Sequence, residues 1–267
     1  MATMQLPAWY RAWETPGGWW LHPRYAEALR VFEHHTPEKR RVAESIVQYG
    51  AAAFPTRPRH VIDFGTGMAA APLALMREGW TVTLTDVDAS KVERLRARLA
   101  PPHRAVQVDL LNPGDAFAAE PPASLVCMTH FLYHIPRDDW PQCFDLAMSL
   151  CGAEGQTVIV MRSPNEYVNR WCAALGAPII DVERDATAWA ATAGMRVRAI
   201  PLPMSLDGLT RLQARLLIEI MLRAVIDPEV VAHIPEEEEI ERRIDTELFQ
   251  GDRCVWPYEN TMVILHR

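Results

Sequence analysis

The 267-residue chain lacks a basic excess: 27 Lys and Arg stand against 34 Asp and Glu, giving a formal net charge of -7. A field of that sign repels phosphate backbones, so a nucleic-acid substrate is not expected. Long apolar runs are also missing, and none approaches the ~20 residues that a bilayer-spanning helix needs. Met1 to Gln5 has no basic segment leading into an apolar stretch. No membrane association is therefore expected, and a cytoplasmic location is. The cysteines Cys127, Cys143, Cys151, Cys172 and Cys254 are odd in number and show no CxxC spacing. They point to neither a disulfide framework nor a metal site, and no metal is expected. Internal repeats and low-complexity tracts are absent.

What remains is the balance of an ordinary globular protein, 49% hydrophobic and 23% charged, enough for one large domain with an embellishment. Residues 1–58 are rich in tryptophan and read helically from about Pro23 to Gln48, with Leu29, Val31, Phe32, Val42 and Ile46 facing inward. They form a helical preface rather than a domain of their own. From His60 the texture changes. His60 to Phe64, Thr81 to Thr85, Ala105 to Val108, Ser124 to Met128 and Thr157 to Met161 are strand-like. Ala69 to Gly79, Ser90 to Ala100 and Trp140 to Cys151 are helical between them. Such alternation predicts an α/β fold, a Rossmann-like doubly wound and mostly parallel sheet, because parallel neighbours need long helical returns. Helices near Asn165 to Leu175 and Glu183 to Ala193 and a strand at Met195 to Leu202 continue the pattern. Leu209, Leu212, Leu216, Leu217, Ile220 and Met221 mark a helix within Leu206 to Arg223, and a Glu-rich helix follows near Pro235 to Phe249. The expected division is a preface or lid at 1–58, a core at 59–204, a helical insert at 205–252 and a closing strand at 253–267.

The strongest local signal is Val61-Ile62-Asp63-Phe64-Gly65-Thr66-Gly67-Met68-Ala69-Ala70. A strand enters a glycine turn and a helix leaves it, so the backbone can approach a ligand and helix N–H groups point toward it. Gly65, Gly67 and Ala70 also satisfy the dinucleotide fingerprint, with Asp86 at the ~20-residue distance of a ribose-binding acid. By itself the turn leaves both ligands open.

Taken with Asp63 before the turn, Asp86 at the end of strand two and Val108-Asp109-Leu110 after strand three, the core from His60 onward resembles the class I S-adenosylmethionine-dependent methyltransferases. The resemblance implies that Asp63 helps hold the methionine end of the cofactor. It gives Asp86 the ribose hydroxyls and Asp109 the adenine amino group, with Leu110 against the ring. Gly65, Thr66, Gly67, Val87 and Thr129 complete the implied cofactor set. It also implies a seven-stranded sheet whose last strand, Thr261 to Leu265, enters antiparallel. A nicotinamide enzyme would require neither Asp63 nor Asp109. Each acid also has a plainer use as a helix cap or turn residue. Ala69 stands where the family often has glycine.

Thr129-His130-Phe131-Leu132-Tyr133-His134 resembles the segment after strand four in the small-molecule branch of that family, which lines the methyl-transfer site. His130 is the first candidate for a general base or acceptor-orienting group, because imidazole titrates near neutrality. Tyr133 and His134 are further candidates, and a packed or capping histidine is the alternative. Asn165 and Tyr167, after strand five, are candidates to orient an acceptor. Tyr10, Trp13, Trp19 and Trp20 serve either as core anchors or as a cover for the cofactor. The expected activity is methyl transfer to a small-molecule acceptor in biosynthesis. The alternatives are intramolecular cyclisation of the cofactor with release of methylthioadenosine, as in relatives that make azetidine-2-carboxylate, and cofactor binding without turnover. A homodimer is compatible with all three.

Overall fold

Short β-branched runs build the sheet. His60–Phe64 (β1), Thr81–Asp86 (β2), Arg104–Gln107 (β3), Ala123–Thr129 (β4) and Cys151–Arg162 (β5) pair in parallel in the order β3-β2-β1-β4-β5. Every residue of β1 is buried, as expected of a parallel strand covered on both faces. Arg196–Asp207 (β6), Phe249–Gln250 (β7) and Arg253–His266 (β8) complete an eight-stranded sheet, with β8 between β5 and β6 and entering antiparallel. The computed structural model describes residues 6–15, 22–56, 59–67, 69–177, 179–223 and 234–267. Among them no helix is long and apolar enough to cross a membrane.

The first helices are Ala8–Arg11 (α1), Pro23–His35 (α2) and Glu38–Ala53 (α3). The single helix expected from Pro23 to Gln48 is thus broken. Thr36 is extended, at φ -130° and ψ 140°, because the ring of Pro37 disfavours a helical residue before it. Of the residues expected to face inward, Val42 and Ile46 are buried and Val31 and Phe32 pack partly buried against the core, whereas Leu29 is 38% exposed and its neighbour Ala28 is buried instead. Ala70–Arg77 (α4), Ala89–Arg96 (α5), Trp140–Leu150 (α6), Tyr167–Ala174 (α7) and Val182–Ala193 (α8) follow the expected alternation. Arg211–Arg223 (α9) begins later than expected because Leu206 and Asp207 still belong to β6. The Glu-rich helix is Glu237–Arg243 (α10), and Ile244–Leu248 then opens into a π-helical turn.

The chain divides into two compact units. One, here the sheet unit, comprises Lys39–Met161, Val182–Leu202 and Thr261–Arg267; the other, the helical unit, comprises Met1–Glu38, Arg162–Asp181 and Pro203–Asn260. The helical unit has its own core, in which Tyr10, Trp13, Trp171, Leu217 and Trp256 are buried. Glu219 is buried there as well and accepts from Trp13 Nε1 (3.3 Å), Arg24 Nη2 (3.0 Å) and Arg215 Nε (2.8 Å). A buried carboxylate survives only with such complete partnering. Tyr10 and Trp13 are therefore core residues, whereas Trp19 and Trp20 lie outside the described residues.

Candidate cofactor and methyl-transfer site

The turn after β1 is built from backbone conformations that side chains disfavour. Gly65 and Gly67 have φ of 61° and 52°, and Ala69, the N-cap of α4, has φ of 57°. A Cβ on Gly65 would lie 2.3 Å from Cδ2 of Phe131, so the aromatic ring after β4 occupies the space that glycine leaves. Thr66 ties the turn to β2. Its N–H donates to Thr85 O (2.8 Å), its hydroxyl accepts from Thr85 N–H (3.0 Å), and the Thr85 hydroxyl donates to Asp63 O (2.9 Å).

The three acids stand at the carboxyl ends of adjacent strands. Asp63 is buried, and burial pushes its carboxyl up to about 7; the nearby Asp86 charge adds to the rise, while the Thr66 hydroxyl opposes it. Asp86 is also buried, its Oδ1 accepting from Asp88 N–H (3.0 Å) and its Oδ2 facing Lys91 Nζ at 3.4 Å. Val87 beside it is 67% exposed, an apolar side chain left open just past the carboxyl end of β2. Val108 N–H donates to Asp86 O (3.1 Å), which links the end of β2 to the segment carrying Asp109. Asp109 is exposed and Leu110 buried. The Asp109 carboxylate accepts from Asn112 Nδ2 and Leu111 N–H, both at 3.0 Å, and these bonds hold its pKa below the usual carboxylate range. Asp109 thus braces its own turn while remaining open to solvent.

At the end of β4, next to β1 in the sheet, the Thr129 hydroxyl oxygen is buried without a hydrogen-bond partner. His130 follows in the left-handed region at φ 53°, its N–H donating to Val160 O at 2.9 Å. Strained non-glycine backbone of this kind costs ~1–3 kcal/mol and collects at functional sites. The His130 ring stacks on Tyr133 with centroids 5.9 Å apart and planes 13° apart. Trp140 Nε1 pins the short turn that carries Tyr133 by donating to Leu132 O (3.2 Å) and Ile135 O (3.1 Å). His134 is exposed, yet partial desolvation of its ring by the surrounding protein lowers its pKa; Lys91 lowers it further and Asp86 opposes.

Asp63, Gly65, Thr66, Gly67, Asp86, Val87, Asp109, Leu110, Thr129, His130, Tyr133 and His134 all belong to the sheet unit, while Asn165 and Tyr167 belong to the helical unit. Asn165 is exposed, its N–H donating to Ser163 Oγ at 3.2 Å. Tyr167 is buried among Trp171 and Trp256, with centroid distances of 6.3 and 6.0 Å. Sequence reasoning missed Lys91 and Phe131. Lys91 is signalled only by its place on the first turn of α5, five residues after Asp86. No local pattern announces Phe131, because its role depends on contact with a turn 66 residues earlier in the chain.

The site fits the cofactor of the resembled family on chemistry visible here. Asp63 is a buried carboxyl destabilised as an anion, so an ammonium group would favour its ionised form. Thr129 offers a buried oxygen lacking a partner, and the glycine turn allows a close backbone approach.

Residues 32–212 match a family described as a methyltransferase domain. Among curated proteins no relative matches. Among solved structures, the chain is similar to magnesium protoporphyrin IX methyltransferase of Synechocystis PCC 6803 with bound SAH, at 12% identity and a TM-score of 0.55, covering 93% of this chain and 97% of that one. It is also similar to a proposed methyltransferase of Bacillus halodurans C-125, at 14% identity and a TM-score of 0.50, over 84% of this chain and 96% of that one. A third similar structure is a proposed sarcosine dimethylglycine methyltransferase of Galdieria sulphuraria, at 13% identity and a TM-score of 0.50, over 84% and 85%. At these identities the structures speak for the fold alone, and the family match covers well over half of the chain. The chain belongs to the methyltransferase-domain family. It is a methyltransferase.

Proposed function

We propose that the protein transfers the methyl group of S-adenosylmethionine to a small-molecule acceptor. The observation that carries this reading is the set of acids at the carboxyl ends of β1, β2 and the segment after β3, one of them, Asp63, buried and raised to about 7. In this reading Asp63 binds the cofactor's ammonium, Asp86 its ribose hydroxyls and Asp109 its adenine amino group. Val87 and Leu110 supply apolar contact to the base, Thr129 Oγ1 donates to the methionine end, and Gly65, Thr66 and Gly67 let the backbone come close.

The bound cofactor supplies an electrophilic methyl on a sulfonium. The chain supplies position and proton handling. Holding reactants in line near ~3–3.5 Å can remove much of a displacement barrier. His130, held in one orientation by its backbone bond to Val160 and by stacking on Tyr133, takes the acceptor's proton or orients the acceptor. His134 is an alternative proton acceptor, since its lowered pKa keeps it neutral near pH 7.

The test is product analysis with and without candidate acceptors. Adenosylhomocysteine formed only when an acceptor is present supports the proposal. Methylthioadenosine released from the cofactor alone would replace it with cyclisation, and tight binding with no product across an acceptor panel would replace it with a binding protein.

A further inference from the structure

Lys91 stands where a cation is out of place. Asp88, the N-cap of α5, accepts from the backbone N–H groups of Ser90 (2.8 Å) and Lys91 (3.3 Å), which sets Lys91 in the first turn of that helix. The positive end of the helix dipole lies there and disfavours an ammonium, whereas Arg94 and Arg96 occupy the last turn, where basic side chains are favoured. The Lys91 side chain turns back to the end of β2, its Nζ 3.4 Å from Asp86 Oδ2. A local rule broken in this way marks a position that serves something besides helix stability.

The pair is held in place but is not closed. Gln107 Nε2 donates to Val87 O (3.2 Å) and Val108 N–H to Asp86 O (3.1 Å), so β3 and the residue after it fix the backbone that carries Asp86. Asp86 Oδ1 accepts from Asp88 N–H at 3.0 Å, which orients the carboxylate and leaves Oδ2 toward Lys91. At 3.4 Å that contact is longer than the ~2.7–2.9 Å of a strong N–H to carboxylate bond. The Asp86 side chain is 7% exposed and that of Lys91 42%, so a buried acceptor stands beside a half-open donor. Both belong to the sheet unit.

This combination selects a ligand group. A carboxylate accepts and cannot donate, an ammonium donates and cannot accept, and a hydroxyl does both. One hydroxyl beside Oδ2 and Nζ gives its proton to the first and takes a hydrogen bond from the second. A cationic group would meet like charge at Lys91, and an anionic one would meet it at Asp86. We propose that Lys91 is a second ribose-binding residue, its ammonium donating to the oxygen of the same cofactor hydroxyl whose proton Asp86 accepts. This rests on the reading of Asp86 as the acid that takes the ribose hydroxyls.

Calorimetric titration of the wild type and of Lys91→Met with adenosylhomocysteine and with its 2′-deoxy and 3′-deoxy analogues tests the contact. The substitution keeps the length of the side chain and removes the donors. Titrations are run at pH 8, where His134, its pKa lowered by partial desolvation and by Lys91, is neutral and adds no second cation. The wild type is expected to bind the analogue lacking the shared hydroxyl about tenfold or more weakly than adenosylhomocysteine. Lys91→Met should bind adenosylhomocysteine about tenfold more weakly, and its penalty for the missing hydroxyl should shrink by about threefold or more. A purely structural Lys91 would lower every affinity and leave that penalty unchanged. The proposal is overturned by Lys91→Met binding adenosylhomocysteine as tightly as the wild type or more so, by penalties that stay the same or grow, or by a wild type indifferent to both hydroxyls. A wild type that does not bind adenosylhomocysteine at all sinks the cofactor-site reading itself, a result distinct from tight binding with an indifferent Lys91.

Discussion

Asp63 shows how one residue's burial sets both stability and ligand binding. Its folded-state carboxyl lies near 7, well above the ordinary 3.8, because burial opposes the charged form. A raised folded value means that the group's contribution to stability is fully present below the unfolded pKa and is lost as pH rises through about 7. The cofactor's ammonium acts in the other direction by favouring the anion. Adenosylhomocysteine should therefore bind more tightly as pH rises from 6 to 8, a trend that calorimetry at several pH values checks. Asp63→Asn should abolish that trend, weaken binding about tenfold or more and raise the unliganded melting temperature at pH 8. A melting temperature that falls at pH 8 would show that the Asp63 anion is already compensated. Asp86→Ala should cost about tenfold to a hundredfold in adenosylhomocysteine affinity, since bonds to a charged acceptor are worth ~1.5–3 kcal/mol. The positions of Asp63, Asp86 and Asp109 were readable from spacing around strand-like runs. The state of the Asp63 proton was not, because it depends on packing from several strands.

At the scale of elements, the glycine turn joins local conformation to a distant contact. Gly65→Ala must place a methyl group where Phe131 lies, at a φ of 61° that alanine disfavours. Strain of this kind costs ~1–3 kcal/mol, so a lower melting temperature and weaker cofactor binding are expected, measured by thermal unfolding and calorimetry. Wild-type behaviour in Gly65→Ala would show that the Phe131 ring moves freely. Element types were largely legible from hydrophobic period, and element ends were less so. β5 starts at Cys151, directly after α6, although Cys151 to Gln156 has little apolar alternation. Its Gly155 is explained by crowding, since a Cβ there would lie 2.4 Å from Ala123 O. The helix break at Thr36-Pro37 did have a local signal in the proline. The π-helical turn at Ile244–Leu248 had none.

For the whole molecule, cofactor binding is a stability term. A ligand that binds only the folded state at a hundred times its dissociation constant adds ~2.7 kcal/mol. Adenosylhomocysteine should raise the melting temperature, and the increment should grow between pH 6 and 8 as Asp63 ionises; an increment independent of pH would detach Asp63 from the ligand. The α/β class, the glycine turn and the three acids could be read from the chain alone, because periodicity, turn chemistry and strand-end position are properties of neighbouring residues. The tertiary structure decided that Phe131 fills the space above Gly65, that Lys91 faces Asp86, and that the Arg243 guanidinium lies over the Trp171 ring. It also decided that residues 1–38, 162–181 and 203–260 form one compact unit. Burial, electrostatic fields and hydrogen-bond satisfaction are sums over residues far apart in the chain, and only folding brings those residues together.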